Sequence, residues 1–415
     1  MERLYSCCCG LDVHKQTVVA CLLRPAEGGQ RRKEVRTFGT TTPALRSLAD
    51  WLRAAGCTHV AMESSGVYWK PVYNILEGHC TVLLVNAQHI KNVAGRKTDV
   101  ADSEWIADLL QHGLLRPSFV PDRAQRELRD LTRTRTTLID ERSAAVNRLQ
   151  AVLEDANIKL AGVATDIMGV SGRDMLAALL GGESDPAVLA ALARGKLRRK
   201  RAALEQALAG RMSDHHRRLV ALHLEHIAFL DEAIAQLSAD IAERVRPCEE
   251  AIVLLDSIPG VDRRTAEIIL AEIGVDMSRF PSAGHLASWA GMCPGQHESA
   301  GKRKKAPARK GNRALRRALT EAARAAARTK QAGRTRLAGQ YRRLVVRCGK
   351  KKAAVAVGHT ILRLVYHVLT HNEPYQEPDL SYLDERRRAQ AQHRALTQLR
   401  ALGYEVTITP KEPAA

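Results

Sequence analysis

Four acids and one serine carry the chemistry open to this sequence. Asp12, Glu63, Asp99 and Asp102 each stand at the end of a predicted strand or at the start of a predicted helix. Carboxylates at sheet ends converge on the adjoining cleft. Asp99 and Asp102 are three residues apart, which puts both on one helical face. Together the four could hold two Mg²⁺ ions about 4 Å apart, an arrangement that stabilises the attacking and leaving oxygens of phosphoryl transfer. Taken singly, each reads equally as a surface acid, and Asp99 and Asp102 as helix caps. Ser299 introduces the densest positive charge in the chain. Nine Lys or Arg and no acid lie between Gly301 and Arg317: Lys302, Arg303, Lys304, Lys305, Arg309, Lys310, Arg313, Arg316 and Arg317. Alone, that run reads as an arm that tracks phosphates without reading sequence. Beside it, the Ser299 hydroxyl could attack a phosphate that the run holds and partly neutralises.

Composition narrows the partners. The chain has 415 residues, 64 Lys plus Arg against 45 Asp plus Glu, a formal charge of +19 and a pI near 9.8, so a polyanion is expected and nucleic acid fits best. Aromatics are only 4%, which argues against binding by extended base stacking and favours backbone contacts. Apolar runs fall short of the roughly 20 residues that span a bilayer, and no leader pattern opens the chain, so a cytoplasmic, nucleoid-associated protein is expected. Nine cysteines form no CxxC pair; Cys7, Cys8 and Cys9 read as small core residues of a strand.

The elements that must position the acids come first in the chain. Residues 5–12, 16–24 and 34–40 predict an antiparallel meander, followed by helix 43–55, strand 58–64, helix 68–78, strand 81–86 and helix 102–115. That is the element order of a ribonuclease-H-like α/β domain, here 1–120, with helices on both faces of a mixed sheet. Residues 121–248 predict two long helices, 123–158 and 214–246, with seams of Leu128, Leu131, Leu138, Ala145, Leu149 and Val152 and of Ile227, Leu230, Ile234, Leu237 and Ile241. They can pair as an antiparallel coiled coil or join subunits, with a small helical insertion at about 160–213. His215, His216, His223 and His226 read as residues of a solvated helix. From 249 to 372 the chain is helical again. A hairpin turn at Pro259 and Gly260 could offer backbone N–H groups to a phosphate, Asn312 is a candidate cap for a basic helix running to about Arg328, and a further helix should start just after Gly349. Residues 373–415 read as a tail with one charged helix.

The motifs GLDVHK around Asp12, MESSGVYW after Glu63, KTDVADSEWIADLL around Asp99 and Asp102, the Pro-Gly hairpin at 259, AGMCPGQHESAGKRKK and KGNRALRRAL resemble, in order, the DEDD-type transposases of the 110 family of bacterial insertion sequences. The resemblance spans nearly the whole chain. It implies a RuvC-like N-terminal domain, a coiled coil that mediates oligomerisation to a dimer or tetramer, and a C-terminal transposase domain with a catalytic serine. It implies a Mg²⁺-binding tetrad of Asp12, Glu63, Asp99 and Asp102 and a Ser299 nucleophile, two halves of a composite site formed in cis or in trans. It also implies a structured guide (bridge) RNA that pairs with double-stranded donor and target DNA. Ala300 stands where related sequences often carry Gly, and Ser288 is the nearest other serine.

The residues leave two other readings open. One is a hydrolytic junction nuclease using the four acids alone. The other is a non-catalytic architectural or RNA-binding protein, against which the placement of the acids at element ends argues.

Overall fold

A computed structural model describes residues 3–26, 31–64, 66–86, 90, 102–295, 298–299, 301–303, 308, 311–328, 335–378, 392–393 and 395–405. The chain divides into two compact units, Met1–Pro121 and Asp122–Ala415.

The first unit is built on a five-stranded sheet. β1 (Cys8–Val13), β2 (Thr17–Pro25) and β3 (Arg31–Gly39) form the expected antiparallel meander, followed by α1 (Thr42–Ala54), β4 (His59–Glu63), α2 (Trp69–Leu76), β5 (Thr81–Val85) and α3 (Asp102–Gln111). The sheet order is β3-β2-β1-β4-β5, with β4 and β5 parallel to β1. β1 lies at the centre and is covered on both faces, so its residues are apolar almost without alternation. Cys9, Leu11, Val60 and Met62 face α1 and α2. Cys8, Cys21, Ala61 and Val85 face α3 through Ile106, Ala107 and Leu110. The strand cysteines are therefore core residues, and burial pushes the Cys8 thiol up to about 12. β3, the edge strand, carries Arg31, Arg32, Lys33, Glu34 and Arg36, charges that discourage pairing with another sheet.

Among the described residues the second unit is helical apart from one short hairpin. α4 (Arg123–Asp155) and α9 (Asp214–Val245) pack along one another. Their ion pairs fix the direction: Glu127 meets Arg244, Arg142 meets Asp231 and Asp155 meets His216, so the helices run antiparallel. The expected seam is buried at Ala145, Leu149, Ile227, Leu230 and Ile241, while Leu138 and Val152 pack at its margin. Between them lie α5 (Leu160–Val163), α6 (Val170–Leu180), α7 (Pro186–Ala191) and α8 (Arg201–Leu208). These share one core with the inner ends of the pair through Leu176, Leu189 and Leu204. His216 joins a capping box with Ser213 at the start of α9 and reaches Asp155 at 2.9 Å, so it ties the two long helices together at that end.

Then follow α10 (Glu249–Asp256), α11 (Arg263–Ile273), α12 (Ala283–Trp289), the hairpin strands β6 (Glu298–Ser299) and β7 (Lys302–Arg303), α13 (Arg313–Arg328) and α14 (Arg336–His371). The helix expected after Gly349 is present, but a helical stretch precedes it, and the two meet at a break where Gly349 has φ 79°. α14 is long and apolar enough to cross a membrane by length and composition alone. Its apolar side is occupied in packing, with Ala354, Val357, Ile361 and Val365 buried and α13 its main neighbour. The alanines of α13 (Ala318, Ala322, Ala323, Ala326) form a buried stripe of small residues that lets neighbouring backbones approach closely. After α14 the chain turns back: Tyr375 donates its N–H to Ser257, and Glu377 accepts from the N–H of Arg336. Residues 395–401 are helical and mostly exposed.

Candidate functional site

The first candidate site is the edge of the sheet where β1 and β4 end. The two strands are parallel and in register, with Gly10 opposite Ala61 and Leu11 opposite Met62, so Asp12 and Glu63 occupy equivalent places at their C-terminal ends. Strand periodicity settles the face: Cys8, Gly10 and Asp12 alternate with Cys9 and Leu11, and Ala61 and Glu63 alternate with Val60 and Met62. Since Cys8 and Ala61 face α3, Asp12 and Glu63 project on the α3 side.

α3 brings Asp102 to the same edge. A Cβ on Gly10 would lie 2.2 Å from the Ser103 carbonyl oxygen and 2.4 Å from the Ala107 nitrogen, so only glycine lets the helix backbone touch the strand. Farther along, the Cys8 thiol donates to the Ala107 carbonyl and the N–H of Leu4 donates to that of Gln111. α3 thus runs antiparallel to β1, and its N-terminus, with Asp102, lies toward the Asp12 end. Asp12 is half-buried and its Oδ2 is 3.1 Å from His14 Nε2. Glu104, on the first turn of α3, is half-buried and paired with Lys33 of β3 at 2.9 Å. Asp99 and Lys97 lie outside the described residues. Among the described residues no three His, Cys, Asp or Glu side chains are grouped closely enough to hold a metal ion. The donor chemistry of Asp12, Glu63 and Asp102 is all carboxylate oxygen, the type that suits Mg²⁺.

The second candidate site is the hairpin that carries Ser299. Ser299 pairs with Lys302 and Glu298 with Arg303 across a two-residue turn. Glu298, Gly301 and Lys302 are exposed, so this turn is presented to solvent. The base of the segment is closed tightly. A Cβ on Gly311 would lie 2.3 Å from the Gly291 nitrogen and 2.4 Å from the Ala290 carbonyl carbon, so the two ends of the 291–311 segment meet backbone to backbone. Ala300, Lys304, Lys305, Arg309 and Lys310 lie outside the described residues, as does His297. Ser288 is exposed on α12.

At the base of this segment, next to Gly311, stands a polar cluster that sequence reasoning missed. Asn312 caps α13 by accepting from the Leu315 N–H at 3.1 Å, as expected, but its side-chain amide also donates to Glu272 Oε2 at 2.5 Å. Glu272 is fully buried and accepts from both sides of the Arg133 guanidinium, at 2.7 and 2.9 Å, with Arg129 at 3.3 Å. Burial depresses Arg129 to about 10, against the pull of Glu272, and it stays charged at neutral pH. The signal was faint in the sequence: Glu272 sits in the apolar run IILAEIG, where a helix predicts a core position.

The described members of the basic run differ in their surroundings. Arg313 is exposed and Arg316 half-buried on α13. Arg317 is bound in ion pairs to Asp140 of α4 and to Glu321, and hydrogen bonding to Asp140 holds its guanidinium well above the ordinary arginine value. Gly260 lies at the α10–α11 turn with φ 89°, and the Ala322 oxygen and Ala326 nitrogen of α13 stand within 2.3 and 2.6 Å of where its Cβ would be. Asp262 caps α11 through the Thr265 N–H at 2.9 Å.

The structure thus sets a carboxylate-bearing edge on a mixed α/β sheet in one unit and a serine on a short basic hairpin in the other, and the comparisons identify the class as DNA transposase. A transposase model of the DEDD, IS110 type matches residues 9–158, and the model described as "Transposase IS116/IS110/IS902 family" matches residues 253–338. The chain belongs to the IS110 family of transposases. It is 27% identical over 297 residues to the transposase for insertion sequence element IS1111A of Coxiella burnetii, covering 71% of this chain and 72% of that one. A probable family 20 transposase of Pseudomonas aeruginosa is 27% identical over 375 residues, 88% of this chain and 94% of the relative. The pilin gene-inverting protein of Moraxella bovis is 37% identical over 78 residues, 18% of this chain and 24% of that protein.

Proposed function

We propose that this transposase breaks and rejoins DNA strands through a covalent phosphoserine intermediate at Ser299, and that its N-terminal unit is RuvC-like, with Asp12, Glu63, Asp99 and Asp102 holding Mg²⁺. What supports the reading is that Asp12 and Glu63 end neighbouring parallel strands on the face that α3 covers, with Asp102 at the near end of α3, in a sheet of order β3-β2-β1-β4-β5. That order, with helices on both faces, is the one expected of a ribonuclease-H-like domain. Bound there, Mg²⁺ would polarise the scissile phosphate and stabilise the leaving oxygen.

The remaining chemistry belongs to the chain. The Ser299 oxygen forms a bond to phosphorus as the bond to one deoxyribose oxygen breaks; the serine proton passes to a base and the departing oxygen takes up a proton. Rejoining is the same exchange run backward with a new strand end, so no external energy source is needed, whereas hydrolysis would not conserve the bond. Lys302 and its basic neighbours, including Lys304, Lys305, Arg309 and Lys310, hold the phosphodiester and offset its charge. The choice of sites is delegated to a structured guide RNA, and the protein acts as a homo-oligomer.

Denaturing gels of the protein incubated with supercoiled DNA, the guide RNA and Mg²⁺ should reveal a protein–DNA adduct. It should be lost in Ser299→Ala and in Asp12→Ala. If Ser299→Ala still cuts while Asp12→Ala does not, the enzyme is a hydrolytic nuclease and the phosphoserine reading fails. Sequencing RNA that copurifies with the protein tests the guide directly; a random sample of cellular RNA would overturn it.

A further inference from the structure

The helical unit carries a pocket that the basic run alone did not reveal. It is a cavity of about 450 Å³ between α4, α11 and α13. Arg133, Arg264, Arg313 and Arg317 contribute to its wall, against two acids, Asp262 and Glu321. The surroundings sort those charges. Arg133 is held by Glu272 and Arg317 by Asp140 and Glu321. Asp262 is engaged as the cap of α11. Arg264 and Arg313 are both exposed, and among the described residues neither forms a hydrogen bond or close ion pair, although, against burial and alongside the Thr265 hydrogen bond, the charge of Arg264 helps hold the Asp262 carboxyl below its ordinary value. Two guanidinium groups from different helices therefore line one cavity with no hydrogen bond of their own among the described residues, donors of the type that suits a phosphate.

The rest of the lining is not suited to a bare ion. Ile139, Ile268, Ala314 and Ala318 supply an apolar part, and the hydroxyls of Thr132 and Thr136 are bonded back to the carbonyls of α4 at Arg129 and Thr132. The cavity is within the size range of small-molecule sites. A base stacked inside a duplex cannot reach such a floor, but an unpaired nucleotide can, with its base on the apolar surface and its phosphate at the arginines.

We propose that this pocket takes one unpaired nucleotide of a nucleic-acid strand, its phosphate between Arg264 and Arg313 and its nucleoside against Ile139, Ile268, Ala314 and Ala318. The inference deepens the nucleic-acid reading above. It requires neither Ser299 chemistry nor metal, so the two stand or fall by different measurements.

The test is equilibrium binding of the full chain to fluorescein-labelled single-stranded DNA, single-stranded RNA of the same sequence and the corresponding duplex, across a salt series. The Arg264→Gln/Arg313→Gln pair should weaken single-strand binding about tenfold and lower the salt slope by about 0.7, the loss of one phosphate contact. Arg218→Gln, which removes an exposed charge on α9, should change neither by a comparable amount. Ala314→Leu fills the floor without altering charge and should weaken single-strand binding several-fold at an unchanged slope, with duplex binding intact. A preference for the RNA or the DNA strand identifies the source of the nucleotide. Competition needs no variant: a nucleoside monophosphate should displace the strand better than inorganic phosphate at equal ionic strength. The proposal is overturned if the double variant behaves as Arg218→Gln does. It is overturned too if inorganic phosphate competes as well as the nucleotide, or if duplex and single strand weaken equally.

Discussion

The side-chain amide of Asn312 donates to the buried carboxylate of Glu272 while its carbonyl oxygen caps the helix that follows the serine hairpin. The start of α13 is thereby tied to α11, and through Arg133 and Arg129 to α4. One carboxylate with no solvent exposure thus fixes the point at which the hairpin segment rejoins the helical framework.

Removing that carboxylate should be costly. Glu272→Ala leaves Arg129 and Arg133 facing a site that no longer compensates them, and breaking a buried pair from one side typically costs about 3–5 kcal/mol. The expected outcome is a large drop in the urea midpoint of the helical unit. Asn312→Ala, which loses the cap and the hydrogen bond to Glu272 but leaves the charges paired, should cost less, about 1 kcal/mol for the cap and about 1.5 kcal/mol for the bond to the carboxylate. Equal midpoints for wild type and Glu272→Ala would show that the cluster is not structural.

The contact between Arg317 and Asp140 makes a weaker, pH-dependent prediction. Hydrogen bonding from Arg317 holds Asp140 below the ordinary aspartate value of 3.8, with burial opposing it. A depressed folded-state value means the contribution is present above 3.8 and is lost as the pH falls through the lower folded value. Both side chains are more than a third exposed, so water screens the pair and its worth is about 0.2–1 kcal/mol. Asp140→Asn should therefore lower stability slightly at pH 7 and make no difference in strong acid. Chemical denaturation at both pH values checks this, and a variant effect that grows on acidification would contradict it.

The sheet unit depends on a close approach that a single methyl group would spoil. In Gly10→Ala the new Cβ meets the α3 backbone at 2.2 Å, and neither the strand nor the helix can yield by rotating a side chain. Overpacking of this kind costs roughly 1–3 kcal/mol. It should also push Asp102 away from Asp12 and Glu63. Adduct formation should fall by more than the loss of folded protein explains, as judged by activity per folded molecule from circular dichroism. Full activity per folded molecule would mean that the alignment of α3 on β1 does not matter.

Much of this arrangement was legible in the residues, and the reasons differ by region. The order of elements follows from three short strand-like runs separated by polar turns and then alternating helix and strand, and the long helices follow from seams at steps of three and four. Local spacing carries that information. Glu272 was only faintly legible: the apolar run IILAEIG marks its position as core, but its partners Arg129, Arg133 and Asn312 are distant in sequence, so nothing local shows what would pair a carboxylate there. The surroundings of Arg317 and the packing of Gly260 against α13 were hidden for the same reason. The nine basic residues looked equivalent in sequence, yet tertiary contacts engage Arg317 and leave Arg313 without an ion pair among the described residues.

The last prediction concerns the base of the serine hairpin. Gly311 and Gly291 meet backbone to backbone, leaving no room for a side chain at 311. Gly311→Ala would force the two ends of the 291–311 segment apart, and the displacement would be carried to the two-residue turn between Ser299 and Lys302. Binding by the basic run rests on many charges and tolerates such a shift. Attack by a serine oxygen does not, since a misplacement of about 1 Å can cost on the order of 100-fold in rate. Gly311→Ala should accordingly bind DNA with nearly wild-type affinity and salt slope while adduct formation slows on the order of 100-fold. Gel-shift titration and single-turnover adduct kinetics on the same preparation separate the two effects. A parallel loss of both would mean that the substitution had unfolded the segment, and unchanged kinetics would mean that the glycine contact does not set the position of Ser299.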